Sequence, residues 1–247
     1  MKFNYITNFE LNSIKKEFIN TVLKKEAFYI NDYNIIESKE FPKNEFKNDS
    51  KSYNKLWKES QWKDKDRIYY GEMIKLCKKY GTFNNILEVG AGFGWFSKIF
   101  IKYNNPECYS IYETSTVAFD KMKKKFVNLP NNINIYNKSF KNIPSEELVK
   151  YDCVIALEVL EHINWDKEFL SSISTETWIF FSVPRIHSFN HVRAFLTPDS
   201  IAYRYKDILD IYEIREIIKY REKKYKPSHY YPTHWGVAAK VKMEKSH

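Results

Sequence analysis

Glycine, proline and cysteine are all scarce, with six, eight and three copies in 247 residues. There is no Gly/Ser-rich or Pro-rich linker and no internal repeat, so the chain does not read as a string of modules or a solenoid. Three cysteines do not make a disulfide framework. Cys77 falls in an amphipathic pattern, and Cys108 and Cys153 fall in apolar runs, as buried thiols of a reducing compartment do. No apolar run approaches the ~20 residues that span a bilayer. The opening Met1-Lys-Phe-Asn-Tyr5 has no apolar leader segment. A cytoplasmic protein without membrane contact is expected.

What is present fits a folded α/β chain. Apolar residues make up 43% and aromatics 17%, well above what a disordered segment carries. Forty basic against thirty-one acidic residues give a formal charge of +9, which favours anionic partners and equally describes a lysine-coated surface. The run Lys121 to Lys125, with Met122 turned inward, reads as the solvated side of a helix.

Residues 1–65 are expected to form a helical cap or lid. Ile14, Phe18, Val22 and Leu23 recur at helical spacing, Phe41-Pro42 interrupts, and Lys43 to Ser52 reads as a loop. A helix over about Asp66 to Lys79 follows, its inner side formed by Ile68, Met73, Ile74 and Cys77, with Gly81 as its stop. From there to residue 247 strands and helices alternate. Strands are expected at Asn85–Val89, Tyr109–Tyr112, Ile133–Tyr136, Val154–Leu157 and Trp178–Val183, and helices at Trp95–Lys102, Thr116–Phe126, Ser145–Val149 and Asp166–Ile173. A last helix is capped by Thr197-Pro198. Such alternation implies right-handed crossovers and a mostly parallel sheet. Asp210–Tyr220 and Trp235–Met243 are two strands with no helix between them, so they must pair antiparallel. The expected fold is therefore Rossmann-like, a mostly parallel seven-stranded sheet ending in an antiparallel hairpin.

The loop Glu88-Val-Gly-Ala-Gly-Phe-Gly94 joins the first of these strands to a helix. Gly90, Gly92 and Gly94 permit positive φ and close approach of a ligand, and the helix start offers free N–H groups to an anion. The dinucleotide fingerprint would put its third glycine at position 95, where this chain has Trp95. Glu88 would repel a pyrophosphate, whereas it suits the ammonium of an amino-acid moiety. Glu113 closes the second strand, placed to accept ribose hydroxyls. Together these point to S-adenosylmethionine (SAM), with Ala91 and Thr114 completing its surroundings.

Over about Asn85 to Val183 the chain resembles the class I SAM-dependent methyltransferases. Ile86 to Gly94 is similar to their first motif, and Tyr112-Glu113 to their ribose-binding strand end. Asn137 to Pro144 is similar to their adenine-binding stretch, with Ser139 where an acid or Asn is usual and Phe140 able to flank the ring. Tyr151 to Ile163 and His191 to Pro198 resemble segments of the quinone-biosynthesis type. The resemblance implies a small-molecule methyltransferase.

Ligands of open α/β sheets bind beyond the carboxyl ends of the strands. Glu158, Glu161 and His162 follow the fourth strand there and are the candidate catalytic residues, with His162 the natural general base. Glu158, Glu161, His162 and His191 are also a candidate set for a divalent cation such as Mg²⁺, as in the similar Glu-x-x-Glu-His arrangement of certain quinone-pathway and small-RNA 2′-O-methyltransferases. Arg185, His187, His191 and Arg193 crowd the loop after the fifth strand, and with Tyr69 they are candidate substrate contacts suited to an anion. The expected activity is O-methylation of a small polar or anionic metabolite, such as a sugar or a phosphorylated precursor of a surface glycan. An RNA 2′-O-methyltransferase and a non-catalytic SAM-binding protein are the alternatives. No RNA-recognition motif is visible, so nucleic acid is not the expected partner.

Overall fold

A computed structural model describes residues 28–38, 50–59, 67–126, 132–185, 191–217 and 234–243. The expected helical pattern around Ile14 to Leu23 and His187 lie outside the described residues.

The strands of the main sheet are β3 (Asn85–Val89), β4 (Cys108–Tyr112), β5 (Ile133–Tyr136), β6 (Cys153–Leu157), β7 (Trp178–Pro184), β9 (Leu209–Ile217) and β10 (His234–Val241). Their order is β5-β4-β3-β6-β7-β10-β9. From β5 to β7 every pairing is parallel, and β10 runs antiparallel to both β7 and β9. The seven-stranded sheet with its antiparallel end is the expected one. The chain reverses between β3 and β4 on one side and β6 on the other, and such a reversal opens a crevice at the carboxyl ends.

Side chains along a strand alternate between two faces, and here both faces are packed. Leu87, Val89, Val154, Ala156, Ile179 and Phe181 belong to one core cluster. Ile86, Cys153, Ile155 and Phe180 belong to the other. The second cluster is closed by α2 (Arg67–Tyr80) and α3 (Trp95–Asn104) through Met73, Leu76, Cys77, Phe96 and Phe100. The first is closed by α5 (Ser145–Leu148), α6 (Asp166–Ser172) and α7 (Pro198–Tyr205) through Leu148, Leu170, Ile201 and Tyr205. Ile68 does not join the inner side of α2 as expected and is 40% exposed. Helix α4 (Thr116–Lys125) buries Met122 below its lysines, as its pattern requires. The Thr197 cap of α7 is a reciprocal one: Ser200 N–H donates to Thr197 Oγ1 at 3.3 Å and Thr197 N–H to Ser200 Oγ at 3.2 Å.

Two features depart from expectation ahead of the main sheet. Strands β1 (Phe28–Ile30) and β2 (Ile35–Ser38) form a hairpin, and β2 pairs with β8 (Arg193–Phe195), giving a second sheet of order β1-β2-β8. A helix, α1 (Ser50–Glu59), begins inside the segment expected to be a loop. No helix among the described residues is long and apolar enough to cross a membrane.

Candidate active site

The turn after β3 is built from left-handed backbone. Gly90, Gly92 and Gly94 have φ of 66°, 57° and 67°, which only glycine adopts without cost. Space is a second constraint. A Cβ on Gly90 would stand 2.6 Å from Val159 Cγ2. Gly90 N–H donates to Tyr112 O at 2.8 Å, tying the turn to the end of β4.

Glu113, immediately after β4, faces that turn. Its Oε2 accepts Gly92 N–H at 2.7 Å and its Oε1 accepts Ser115 N–H at 2.7 Å. Burial pushes its carboxyl up to about 7, against the pull of those two amides, which favour the anion. Each carboxylate oxygen has a further lone pair for a ribose hydroxyl. Glu88 is placed differently from expectation. Strand alternation puts it on the face of Ile86, where its Oε2 accepts the Tyr109 hydroxyl at 2.6 Å and it is only 2% exposed. Burial also pushes this acid up to about 7.

Helix α1 lies across the same crevice. Ser50 Oγ donates to Thr114 O at 2.9 Å. Asn54 Oδ1 accepts Ser115 Oγ–H at 2.7 Å and Val117 N–H at 3.2 Å. The Trp57 ring packs 4.5 Å from that of Phe93 and within 3.1 Å of where a Cβ on Gly92 would be. The rings of Tyr53 and His162 stand at right angles with their centroids 6.1 Å apart. These four residues stand at i, i+3, i+4 and i+7, one face of a helix. The Ser50-x-x-Tyr53-Asn54-x-x-Trp57 spacing was the signal available in the sequence, and reading Lys43 to Ser52 as a loop hid its first residue.

Beyond β6 the chain turns through Glu158, whose φ is 57°, a strained value for a residue with a side chain. Its N–H donates to Ser182 Oγ at 3.0 Å, and Ser182 Oγ–H returns to Glu158 Oε1 at 3.0 Å. Tyr69 on α2 bonds the same Ser182 hydroxyl. Glu158 Oε2 meets His234 Nε2 at 2.6 Å. Ser182 and His234 belong to this network and carry no local motif that would have announced them. The next turn holds Glu161, 0% exposed, and His162, with 3.8 Å between Glu161 Oε1 and His162 Nε2. His191 stacks edge-on to His162 at 4.8 Å, held there because Val192 N–H donates to Glu161 O at 2.7 Å. One ligand atom from each of Glu161, His162 and His191 falls within 4.8 Å of the others. Glu158 stands outside that group.

A family comparison matches residues 51–221 to the methyltransferase domain. The chain belongs to that family. It is a SAM-dependent methyltransferase, and α1 from Lys51 onward lies inside the matched region. No curated protein sequence matches it. Among solved structures, the N-methyltransferase NodS from Bradyrhizobium japonicum WM9 with S-adenosylhomocysteine (SAH) is 12% identical, with a TM-score of 0.57 over 74% of this chain and 90% of that one. A chain in the complex of the Haloferax volcanii Trm112 methyltransferase activator with its methyltransferase is 10% identical, with a TM-score of 0.62 over 82% and 100%. The methyltransferase domain of bacterial CtHen1-C is 13% identical, with a TM-score of 0.55 over 73% and 100%. At these identities the likeness is one of fold.

The remaining expected contacts of the methyltransferase fall in three settings. Ser139 caps the short turn Phe140–Asn142 through Lys141 N–H at 3.3 Å, and Phe140 packs against Trp165 and Phe169 at 4.9 and 4.8 Å. Arg185 follows β7, buried over Trp235 at 5.5 Å and 3.9 Å from Glu216 Oε1. Arg193 points away from the crevice, contrary to the expected substrate contact. As part of β8 it donates to Leu160 O and Ile163 O, both at 2.6 Å, and pairs with Asp166 at 3.2 Å. Arg204 closes on the same Asp166 with two bonds of 2.8 Å. These two arginines hold the second sheet to the body of the domain.

Proposed function

We propose that the methyltransferase methylates a hydroxyl oxygen of a small, polar or anionic metabolite, such as a sugar or a phosphorylated glycan precursor. The observation that carries the reading is the meeting of Glu161, His162 and His191 at the carboxyl end of β6, across the crevice from Glu113. The glycine turn and Glu113 fit SAM: Gly90 to Gly94 would take its carboxylate on backbone amides, and Glu113 its ribose hydroxyls. Thr114, Ser139 and Phe140 border the adenine end. Bound SAM supplies an electrophilic methyl on a sulfonium. His162 takes the proton of the acceptor hydroxyl, and Glu161, buried beside it, favours the imidazolium that results. Glu158, fixed by Ser182 and His234, forms the wall next to the methyl. Arg185 and His191 offer positive charge to the acceptor's anionic group.

A second reading has support of its own. Glu161, His162 and His191 have the donor types of a divalent-metal site and lie close enough to share one ion, so Mg²⁺ there would hold and acidify the acceptor hydroxyl. Glu158 takes no part in that set, because Ser182 and His234 engage its carboxylate. An RNA 2′-hydroxyl acceptor belongs to this reading.

Methyl-labelled SAM offered with sugar phosphates, hydroxy acids and a short RNA separates these readings. Label on an alkali-stable ether of a small acceptor, unchanged by EDTA, is the expected result. Label on RNA alone, lost with EDTA, would replace the first reading with the second.

A further inference from the structure

Tyr53 stands where the cofactor half of the crevice meets the acceptor half. It projects from the same face of α1 as Ser50, Asn54 and Trp57. Those three fix the helix over Thr114, Ser115 and the glycine turn. The Tyr53 ring therefore has little freedom to leave the crevice, and its perpendicular contact with His162 at 6.1 Å between centroids marks how far it reaches. Burial, then the negative fields of Glu161 and of Glu113, push its phenol far above the usual tyrosine range. Both carboxylates thus act on one side chain, although one ends β4 and the other follows β6.

The geometry of SAM constrains what can lie between those acids. Its sulfur is bonded to the ribose, to the aminobutyrate chain and to the methyl. With the ribose on Glu113 and the carboxylate on the glycine turn, the sulfur lies between them, two bonds from the ribose ring and four from the carboxylate carbon, and the methyl would face His162. That is the space Tyr53 borders. A sulfonium is a poorly hydrated cation, and an aromatic ring face attracts such cations. SAH has a neutral thioether in the same position and lacks this attraction.

We propose that the ring of Tyr53 forms one wall of the sulfonium site and makes the enzyme bind SAM in preference to SAH. This rests on the assignment of the glycine turn and Glu113 to SAM. The carboxylates of Glu113 and Glu161 reinforce the preference. Loss of the positive charge on methyl transfer weakens the hold of α1 on the product, which favours exchange of SAH for SAM.

Calorimetric titration of the full chain with SAM and separately with SAH tests the proposal without any acceptor. The readout is the ratio of the two dissociation constants in wild type, Tyr53→Phe, Tyr53→Leu, Tyr53→Met and Asn54→Ala. Tyr53→Phe keeps the ring and is expected to hold the ratio within about twofold of wild type. Tyr53→Leu and Tyr53→Met are expected to weaken SAM about threefold to tenfold more than SAH. Asn54→Ala loosens the docking of α1 and is expected to weaken both ligands together, which marks a purely structural effect. A wild type that does not prefer SAM, a ratio unchanged from wild type in both Tyr53→Leu and Tyr53→Met, or a ratio shifted equally in Tyr53→Phe overturns the proposal. A wild-type chain that binds neither ligand overturns the cofactor assignment instead.

Discussion

Glu88 and Glu113 are acids held in dry surroundings, and burial moves both in the same direction, from 4.5 up to about 7. An acid whose folded value lies above its unfolded one favours the folded state at low pH. The contribution is fully present below about 4.5 and is lost as pH rises through about 7. Glu88→Gln removes one such group while keeping an acceptor for Tyr109. Its melting temperature is expected to fall less than that of wild type between pH 5 and pH 8, and an equal or larger fall would refute the linkage. Glu113 behaves differently toward ligand, because ribose hydroxyls donate to its anion. SAH affinity is expected to rise as pH increases through about 7, and a flat profile would count against Glu113 as the ribose acceptor. Legibility at this scale was uneven. The positive-φ glycines and the place of Glu113 beside them followed from spacing, whereas the turn of Glu88 toward Tyr109, on the face of Ile86, needed the alternation of β3 to be followed.

The elements that frame the crevice are held by a few polar junctions, and each has a distinct cost of removal. Ser182 accepts from Glu158 N–H and bonds Tyr69 while donating to Glu158 Oε1. Ser182→Ala leaves those groups without their partner in a buried place, so a loss of about 1–3 kcal/mol in chemical denaturation is expected, together with a larger loss of methyl transfer than of SAH binding. Wild-type stability in that variant would mean the network is ornamental. Asp166 joins Arg193 and Arg204 between α6, β8 and α7. Asp166→Asn breaks a buried pair and is expected to cost about 3–5 kcal/mol without changing the SAM-to-SAH preference. A change of preference would tie that junction to the site. Neither α1 nor the β1–β2 hairpin was legible as a unit. The binding face of α1 is Ser, Tyr, Asn and Trp amid lysines, so it lacks the apolar stripe that marks a core helix. The hairpin's partner, β8, is a three-residue strand from far along the chain. His234 and Ser182 were equally hidden, since the pairing of β6 with β7 brings Ser182 to Glu158 and that of β10 with β7 brings His234.

For the molecule as a whole, the alternation of apolar strands with amphipathic helices was sufficient to give the main sheet. Both faces of its centre are covered, so the inner strands β3, β4, β6 and β7 read as mostly apolar while the edge strand β5 does not, and the two strands without an intervening helix could only pair antiparallel. The proposed acceptor side was less legible because residues at the ends of β6, β7 and β10, and His191 ahead of β8, come to it from positions remote in sequence. The central claim is that the crevice over Gly90 to Gly94 and Glu113 is a SAM site. Calorimetric titration of SAH into the wild-type chain and into Glu113→Gln tests it most directly. One site per chain in wild type, weakened at least about tenfold in Glu113→Gln by loss of charge-assisted hydrogen bonds, is the predicted result. Absence of SAH binding in wild type, or equal affinity in the two proteins, would contradict it.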